Sequence, residues 1–183
     1  LQPMQIIALV FAAIILLGAC LLTLPAASRS GVSCGFRPAL FTATSATCVT
    51  GLVVYDTFSH WSLFGQAVLI GLIQIGGLGF MTIALFTTHL LKRRAGLRER
   101  ALMAESINTE SLGGMRRLTR IIILGTLIFE LGGAAILATR FIPLFGWIKG
   151  IYYSVFHAIS AFCNAGFDLM GGYSGPYSSL TAF

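Results

Sequence analysis

Two short segments have the composition needed to bind a cation through backbone oxygen atoms. The first loop is Cys48–Leu52 (CVTGL) and the second loop is Cys163–Phe167 (CNAGF). Each follows a short helix-forming stretch and contains a glycine, which adopts positive φ at little cost. Such backbone can point several carbonyl oxygens in one direction, where they replace the water around a dehydrated cation. The chemistry indicated is therefore ion coordination without a covalent step.

The two loops belong to a longer internal repeat. Phe41–Gly51 and Phe156–Gly166 share Phe, Ala, Ser, Ala, Cys and Gly at one constant offset of 115 positions. The same offset aligns the apolar runs that precede them without a gap. Leu and Ala matches between apolar helices are common by chance, but Ser, Cys and Gly in register are not. The alternative is that these are ordinary extracellular loops with glycine at turns. The second copy disfavours it, and the sequence predicts a repeated span–loop–span unit.

The composition predicts an all-α membrane protein. The chain has 183 residues, of which 56% are hydrophobic and only 10% are charged, and soluble domains carry about 25% charged residues. Three apolar runs are long enough to cross a hydrocarbon core about 30 Å thick, and two helical stretches that precede the loops are too short. The predicted spans are Ile6–Leu24, Leu63–Leu91 and Ile121–Thr139, and the short helices are Pro38–Thr47 and Ile151–Phe162.

These elements predict a first unit over residues 1–91, a basic linker over 92–120 and a second unit over 121–183. The basic residues of the linker place it in the cytoplasm by the positive-inside rule, which also accounts for the net charge of +6 without nucleic acid as a partner. A loop is expected over Arg140–Gly150. The repeat offset places the start of a second returning span at residue 178, so the second unit is expected to be truncated.

Three motifs resemble the Trk/Ktr/HKT superfamily of cation transporters, and most closely its Ktr membrane subunit. Thr42–Leu52 resembles the first selectivity-filter loop of that family, and Phe156–Leu169 resembles the second. Gln74–Thr82 is similar to the inner helix that follows the first filter loop. The resemblance covers nearly the whole sequence, with the three motifs in the same order.

This resemblance implies a K⁺-channel-like architecture of four outer helix–pore loop–inner helix units around one pore, of which this chain would hold about one and a half. It implies transport of K⁺, with Na⁺ as a coupling or activating ion, and no cofactor in this chain. The implied partners are membrane lipid, the remaining repeats of the same polypeptide, a second copy in a homodimer and a cytosolic nucleotide-binding regulatory ring. The implied location is the bacterial inner membrane, with several spans.

The resemblance also implies roles for individual residues. Gly51 and Gly166 would be the filter glycines, and Gly51 favours K⁺ because Na⁺-preferring plant relatives have serine there. From their positions rather than the resemblance, Asp56 and Asp168 lie beyond the two loops on the expected outer side, where they either raise the local cation concentration at an outer vestibule or are ordinary solvated loop residues. The carbonyl groups expected to bind the ion belong to Cys48, Val49, Thr50, Cys163, Asn164 and Ala165, with Leu52 and Phe167 completing the two loops.

Other interpretations remain open at this stage. A non-conducting assembly or anchoring subunit and a Na⁺-conducting relative are the alternatives for function, and an enzyme is disfavoured because no catalytic set lies within the spans. The cysteines lack the spacing of a transition-metal site. Glu130 is either an ion-path residue or, as we favour, a structural residue that is neutral or hydrogen-bonded to another helix. His157 is expected to pack, and Gly76–Gly79 either to pack or to permit bending.

Overall fold

The computed structural model describes residues 3–93 and 112–172, and this part of the chain is helical, with no strand beyond an isolated bridge between Ser28 and Trp61. The all-α prediction is confirmed. Most of the 92–120 linker and the returning span expected from residue 178 lie outside the described residues. The helices are α1 Pro3–Thr23, α2 Phe36–Thr47, α3 Thr57–His60, α4 Leu63–Arg93, α5 Leu112–Phe145 and α6 Trp147–Phe162, with 3₁₀ turns at Pro25–Ala27 and Met170–Gly172.

The helices follow one another as the repeat predicts. A long helix and then a short helix come before each loop: α1 and α2 before the first, α5 and α6 before the second. Helix α1 packs on α2, and α5 packs on α6. Helix α4 returns from the first loop, packs on α1 and α2, and also contacts α6. It is therefore the element that joins the two units.

Buried side chains from α1, α4 and α6 share one core with the small residues of α2. Leu22, Leu69 and Ile73 pack there with Phe156 and Trp61, all almost fully buried. By contrast, large apolar side chains on α5, such as Phe129 and Ile136, are exposed. An apolar surrounding accounts for such a surface, because it removes these side chains from water.

One stretch of the described residues, Arg120–Phe145 in α5, is both long and apolar enough to cross a membrane. Among the residues whose side chains the structure describes, α1 and α4 also contain apolar stretches, at Ala8–Thr23 and Leu63–Gly79. The three-span prediction therefore has direct support from length and hydropathy for its third span.

The predicted loop over Arg140–Gly150 is wrong. Helix α5 continues through Pro143 to Phe145, and only Gly146 (φ 81°) separates it from α6. The backbones of the two helices touch, because a Cβ on Gly150 would lie 2.7 Å from Cα of Ile142. Two glycines thus allow a reversal that composition alone suggested would need a longer connection. Helix α2 likewise begins at Phe36, two residues earlier than predicted, directly after Gly35 (φ 83°).

Three neighbouring glycines of α4 contact three different elements. A Cβ on Gly76 would collide with the Thr47 carbonyl group at the end of α2, and one on Gly77 would collide with Cys163. Gly79 lies against the ring of Phe11 in α1. Helix α4 runs continuously through this region, so close packing accounts for these glycines without a bend.

We expect Gly76→Ala to destabilise the intact gene product that carries this sequence by about 1–3 kcal/mol, because the added methyl group overpacks against backbone. Gly71→Ala is the matched control on the same helix, since nothing lies within 4 Å of its added Cβ. Thermal melting in detergent should show a lower midpoint for Gly76→Ala and an unchanged or raised midpoint for Gly71→Ala. Equal midpoints for the two variants would contradict this packing.

Candidate functional site

The first loop is held to the end of α2 by backbone hydrogen bonds. The amides of Cys48, Val49 and Thr50 donate to the carbonyls of Thr44, Ala46 and Ser45 at 2.8, 3.3 and 3.0 Å. These bonds close the last turn of the helix and then reverse the chain. These three amide groups are therefore satisfied within the protein, by the carbonyl groups of α2.

The second loop repeats this pattern at the end of α6. The amides of Cys163, Asn164 and Ala165 donate to the carbonyls of Ile159, Ala161 and Ser160 at 2.9, 3.0 and 2.7 Å. Each donor and acceptor lies 115 positions after its counterpart in the first loop. The repeat seen in the sequence is therefore also a repeat of backbone hydrogen bonding.

The backbone dihedral angles agree as closely. Val49 and Asn164 have φ of 55° and 57°, and Gly51 and Gly166 have φ of 74° and 73°. Asparagine and glycine tolerate this left-handed region, but it is costly for a β-branched residue such as valine. The first loop therefore holds Val49 in a strained conformation, which points to a constraint on the loop backbone.

The two loops meet at their glycines. A Cβ on Gly51 would lie 2.9 Å from the Ala165 carbonyl oxygen, and one on Gly166 would lie 3.2 Å from Cα of Gly51. The structure thus brings together the two segments that the sequence singled out. An added side chain at Gly51 would therefore overlap backbone, and one at Gly166 would make an unusually tight contact.

Helix α2 ends at the first loop and α6 ends at the second. The carboxyl end of a helix carries a partial negative charge from its last carbonyl groups. Two such ends directed at adjoining loops favour a cation over an anion there.

Two equivalent serines support the loops in different ways, and sequence reasoning gave them no role. Ser45 shares a hydrogen bond of 2.9 Å with the Thr50 hydroxyl, whereas Ser160 donates to the Phe167 carbonyl oxygen at 2.6 Å. The Phe167 oxygen therefore faces α6. The signal that could have found these serines was their match in register between the two halves.

His157 packs with both ring nitrogens bonded, as expected. Its Nδ1 lies 2.7 Å from the Tyr153 carbonyl oxygen, and its Nε2 accepts a bond of 3.2 Å from the amide of Leu169. An acceptor at Nε2 requires a neutral ring with its proton on Nδ1. His157 thus ties α6 to the chain that follows the second loop.

The two outer aspartates lie near each other, but Asp56 is only 7% exposed and is not an ordinary solvated residue. Its carboxylate accepts a bond of 2.7 Å from the amide of Ser59 at the start of α3 and contacts Gly171. Burial raises the pKa of Asp168, and the Asp56 carboxylate acts in the same direction. Asp168 also accepts a bond of 2.9 Å from the amide of Met170. Their vestibule role stays a prediction.

The model of the family TrkH, described as cation transport proteins, matches residues 3–180. The chain belongs to the TrkH family. Its membrane location follows from that membership.

Three curated relatives of this TrkH-family chain are named for ion uptake. It is 48% identical to the potassium/sodium uptake protein NtpJ of Enterococcus hirae over 93% of this chain and 38% of that protein. It is 47% identical to the Ktr system potassium uptake protein B of Bacillus subtilis, over 91% and 37%. For the protein of the same name from Vibrio alginolyticus the identity is 46%, over 90% and 36%. The chain spans little more than a third of the length of these relatives.

We expect the left-handed position of the second loop to reject a β-branched residue. Asn164→Val should destabilise the intact gene product by about 1–2 kcal/mol, because valine is costly at positive φ. Asn164→Gly, which suits φ of 57°, is the matched control and should be nearly neutral. Thermal melting in detergent measures both variants, and a valine variant as stable as the glycine variant would contradict the assigned backbone.

Proposed function

We propose that this chain contributes two of the loops through which a Trk/Ktr-type system takes up K⁺. The observation that carries this proposal is the contact between two loops of matching backbone geometry at Gly51 and Gly166. Non-helical backbone at membrane depth is tolerated only where it is buried in protein or lines a water-filled path. A pair of such loops, each at the carboxyl end of a short helix, fits a path for cations.

The ion ligands in this proposal are backbone carbonyl oxygens. Those of Cys48, Val49 and Thr50 come from the first loop, and those of Cys163, Asn164 and Ala165 from the second. Their amides bond back to α2 and α6, which leaves the carbonyls to replace the ion's hydration shell. K⁺ is the cargo here, and the mechanism uses no cofactor or covalent intermediate.

The relatives also support a wider arrangement. Two of those compared are named as potassium uptake proteins of a Ktr system, a wording that implies further components. We infer a multi-pass protein of the bacterial inner membrane, with the 92–120 linker in the cytoplasm. Further units of the same polypeptide would complete the pore. A second copy and a cytosolic nucleotide-binding subunit ring would be the partners.

Na⁺ is a second candidate ion, because one relative is named for potassium and sodium uptake. Na⁺ would act either as cargo or as a coupling ion. Gly51 favours K⁺ as cargo. Because glycine has no side chain, this position does not narrow the space that the larger ion needs. A non-conducting anchoring subunit would require neither the matched loops nor their contact.

The test is K⁺ uptake by K⁺-starved cells that express the intact gene product, with external Na⁺ varied. Gly51→Ser should lower the preference for K⁺ over Na⁺ at least about tenfold, because a side chain at φ of 74° is strained and meets the Ala165 carbonyl oxygen.

Gly31→Ser is the matched control. Gly31 also has positive φ (69°), but it lies outside the loops and nothing is within 4 Å of an added Cβ. It should keep the ion preference of the wild type. If Gly51→Ser keeps both the uptake and the preference, the loop is structural and the anchoring alternative is supported.

A further inference from the structure

Glu130 is a buried acid that the proposed ion path does not use. It lies in α5 and is 6% exposed, whereas its neighbours Phe129 and Leu131 are largely exposed. An ionisable side chain within an apolar span is rare, and it faces protein or a watery cavity when it occurs. Glu130 is thus a buried ionisable side chain on a helix whose large apolar side chains are mostly exposed.

The partner of Glu130 comes from α4. The Gln74 side-chain amide donates from Nε2 to Oε2 of Glu130 at 3.2 Å. At its other end, Oε1 of Gln74 lies 4.0 Å from Sγ of Cys163, the first residue of the second loop. Gly77, one turn further along α4, lies directly against the same cysteine. One face of α4 therefore meets the second loop through Gln74 and Gly77.

The bond to Glu130 decides which end of the Gln74 amide faces the loop. A side-chain amide has a donor end and an acceptor end, whereas an ionised carboxylate can accept hydrogen bonds but cannot donate them. With Nε2 held by Glu130, Oε1 is left facing the Cys163 thiol, which is a weak donor. The Oε1 atom of Glu130 itself is buried without a partner among the described residues, so the Gln74 bond is the one that fixes this carboxyl group.

We propose that Glu130 is a positioning residue for the second loop, acting through Gln74 on Cys163. This inference rests on the proposed function, because it names a residue that sets ion preference in the same path. The pair joins three elements, α4, α5 and the second loop, so it fixes the loop against both units.

The repeat supports a role confined to the second loop. Ile15 stands at the position equivalent to Glu130, 115 residues earlier in the first unit. The first-loop equivalent of Cys163 is Cys48, which is exposed. A polar residue that only packed two helices together would have no reason to coincide with a contact to the loop.

Two measurements on the intact gene product test this role: the ratio of Na⁺ to K⁺ uptake, and the alkylation rate of Cys163 followed by peptide mass spectrometry. Glu130→Leu should change each about fivefold, the factor for about 1 kcal/mol, which is the net value of one hydrogen bond. Gln74→Leu, which removes the bridging amide, should do the same. Glu130→Gln keeps an oxygen that accepts from Gln74 and should change each measurement less than Glu130→Leu does.

Thr126→Val is the matched control, because Thr126 is equally buried at 6% exposure one turn away on α5. It should alter at most the amount of protein in the membrane. A purely structural Glu130 would also lower that amount, but it would leave the uptake ratio and the alkylation rate unchanged.

The outcomes separate the two proposals. A wild-type protein that moves no K⁺ contradicts the proposed function. In a second outcome, the wild type takes up K⁺ selectively and Gly51→Ser loses that selectivity, but Glu130→Leu and Gln74→Leu change neither the uptake ratio nor the alkylation rate. This outcome overturns the positioning role alone. Equal changes in Glu130→Gln and Glu130→Leu also overturn it, because charge and not amide orientation would then be what matters. If Glu130→Leu does not accumulate, Gln74→Leu decides.

Discussion

The two loops depend on one constraint, which is that backbone leaving the end of a helix must find new partners for its amide groups. Each loop meets it with three amide-to-carbonyl bonds to the last turns of its own short helix. The loop amides are thus paired with the helix, and in the second loop the Phe167 carbonyl oxygen is paired with Ser160. The short helices, the left-handed residues and the glycines are the means by which the chain makes that arrangement twice.

Helix α4 is the element on which the two loops both depend. Its glycines bring its backbone against Thr47 at the end of α2 and against Cys163 in the second loop. Between apolar helices there is little hydrophobic driving force in lipid, so close approach and a few hydrogen bonds carry the association. The bond of 2.8 Å from the Tyr152 hydroxyl to Oε1 of Gln66 adds a second link between α6 and α4. The loop-to-loop contact is thus held by a helix that touches both.

The sequence predicts local features well and distant contacts poorly. The apolar runs and the residues matched between the two halves predict the helices, the loops and their register, because these features depend on neighbours along the chain. The Arg140–Gly150 loop was mispredicted because its interface-type composition does not reveal the reversal that Gly146 and Gly150 permit. The partner of Glu130 could be predicted only as another helix. That it is Gln74 depends on how α4 and α5 pack, which no pattern within either segment encodes.

The two loops share a backbone conformation, but different side chains support it in each loop. Ser45 bonds a side chain, whereas Ser160 bonds a backbone oxygen. The left-handed residue is valine in one loop and asparagine in the other. A ring of identical subunits would use one set of supports four times. Different side chains that hold the same backbone conformation instead suit two units of one polypeptide. Each loop there has different neighbours, and the backbone geometry is the feature that both loops keep.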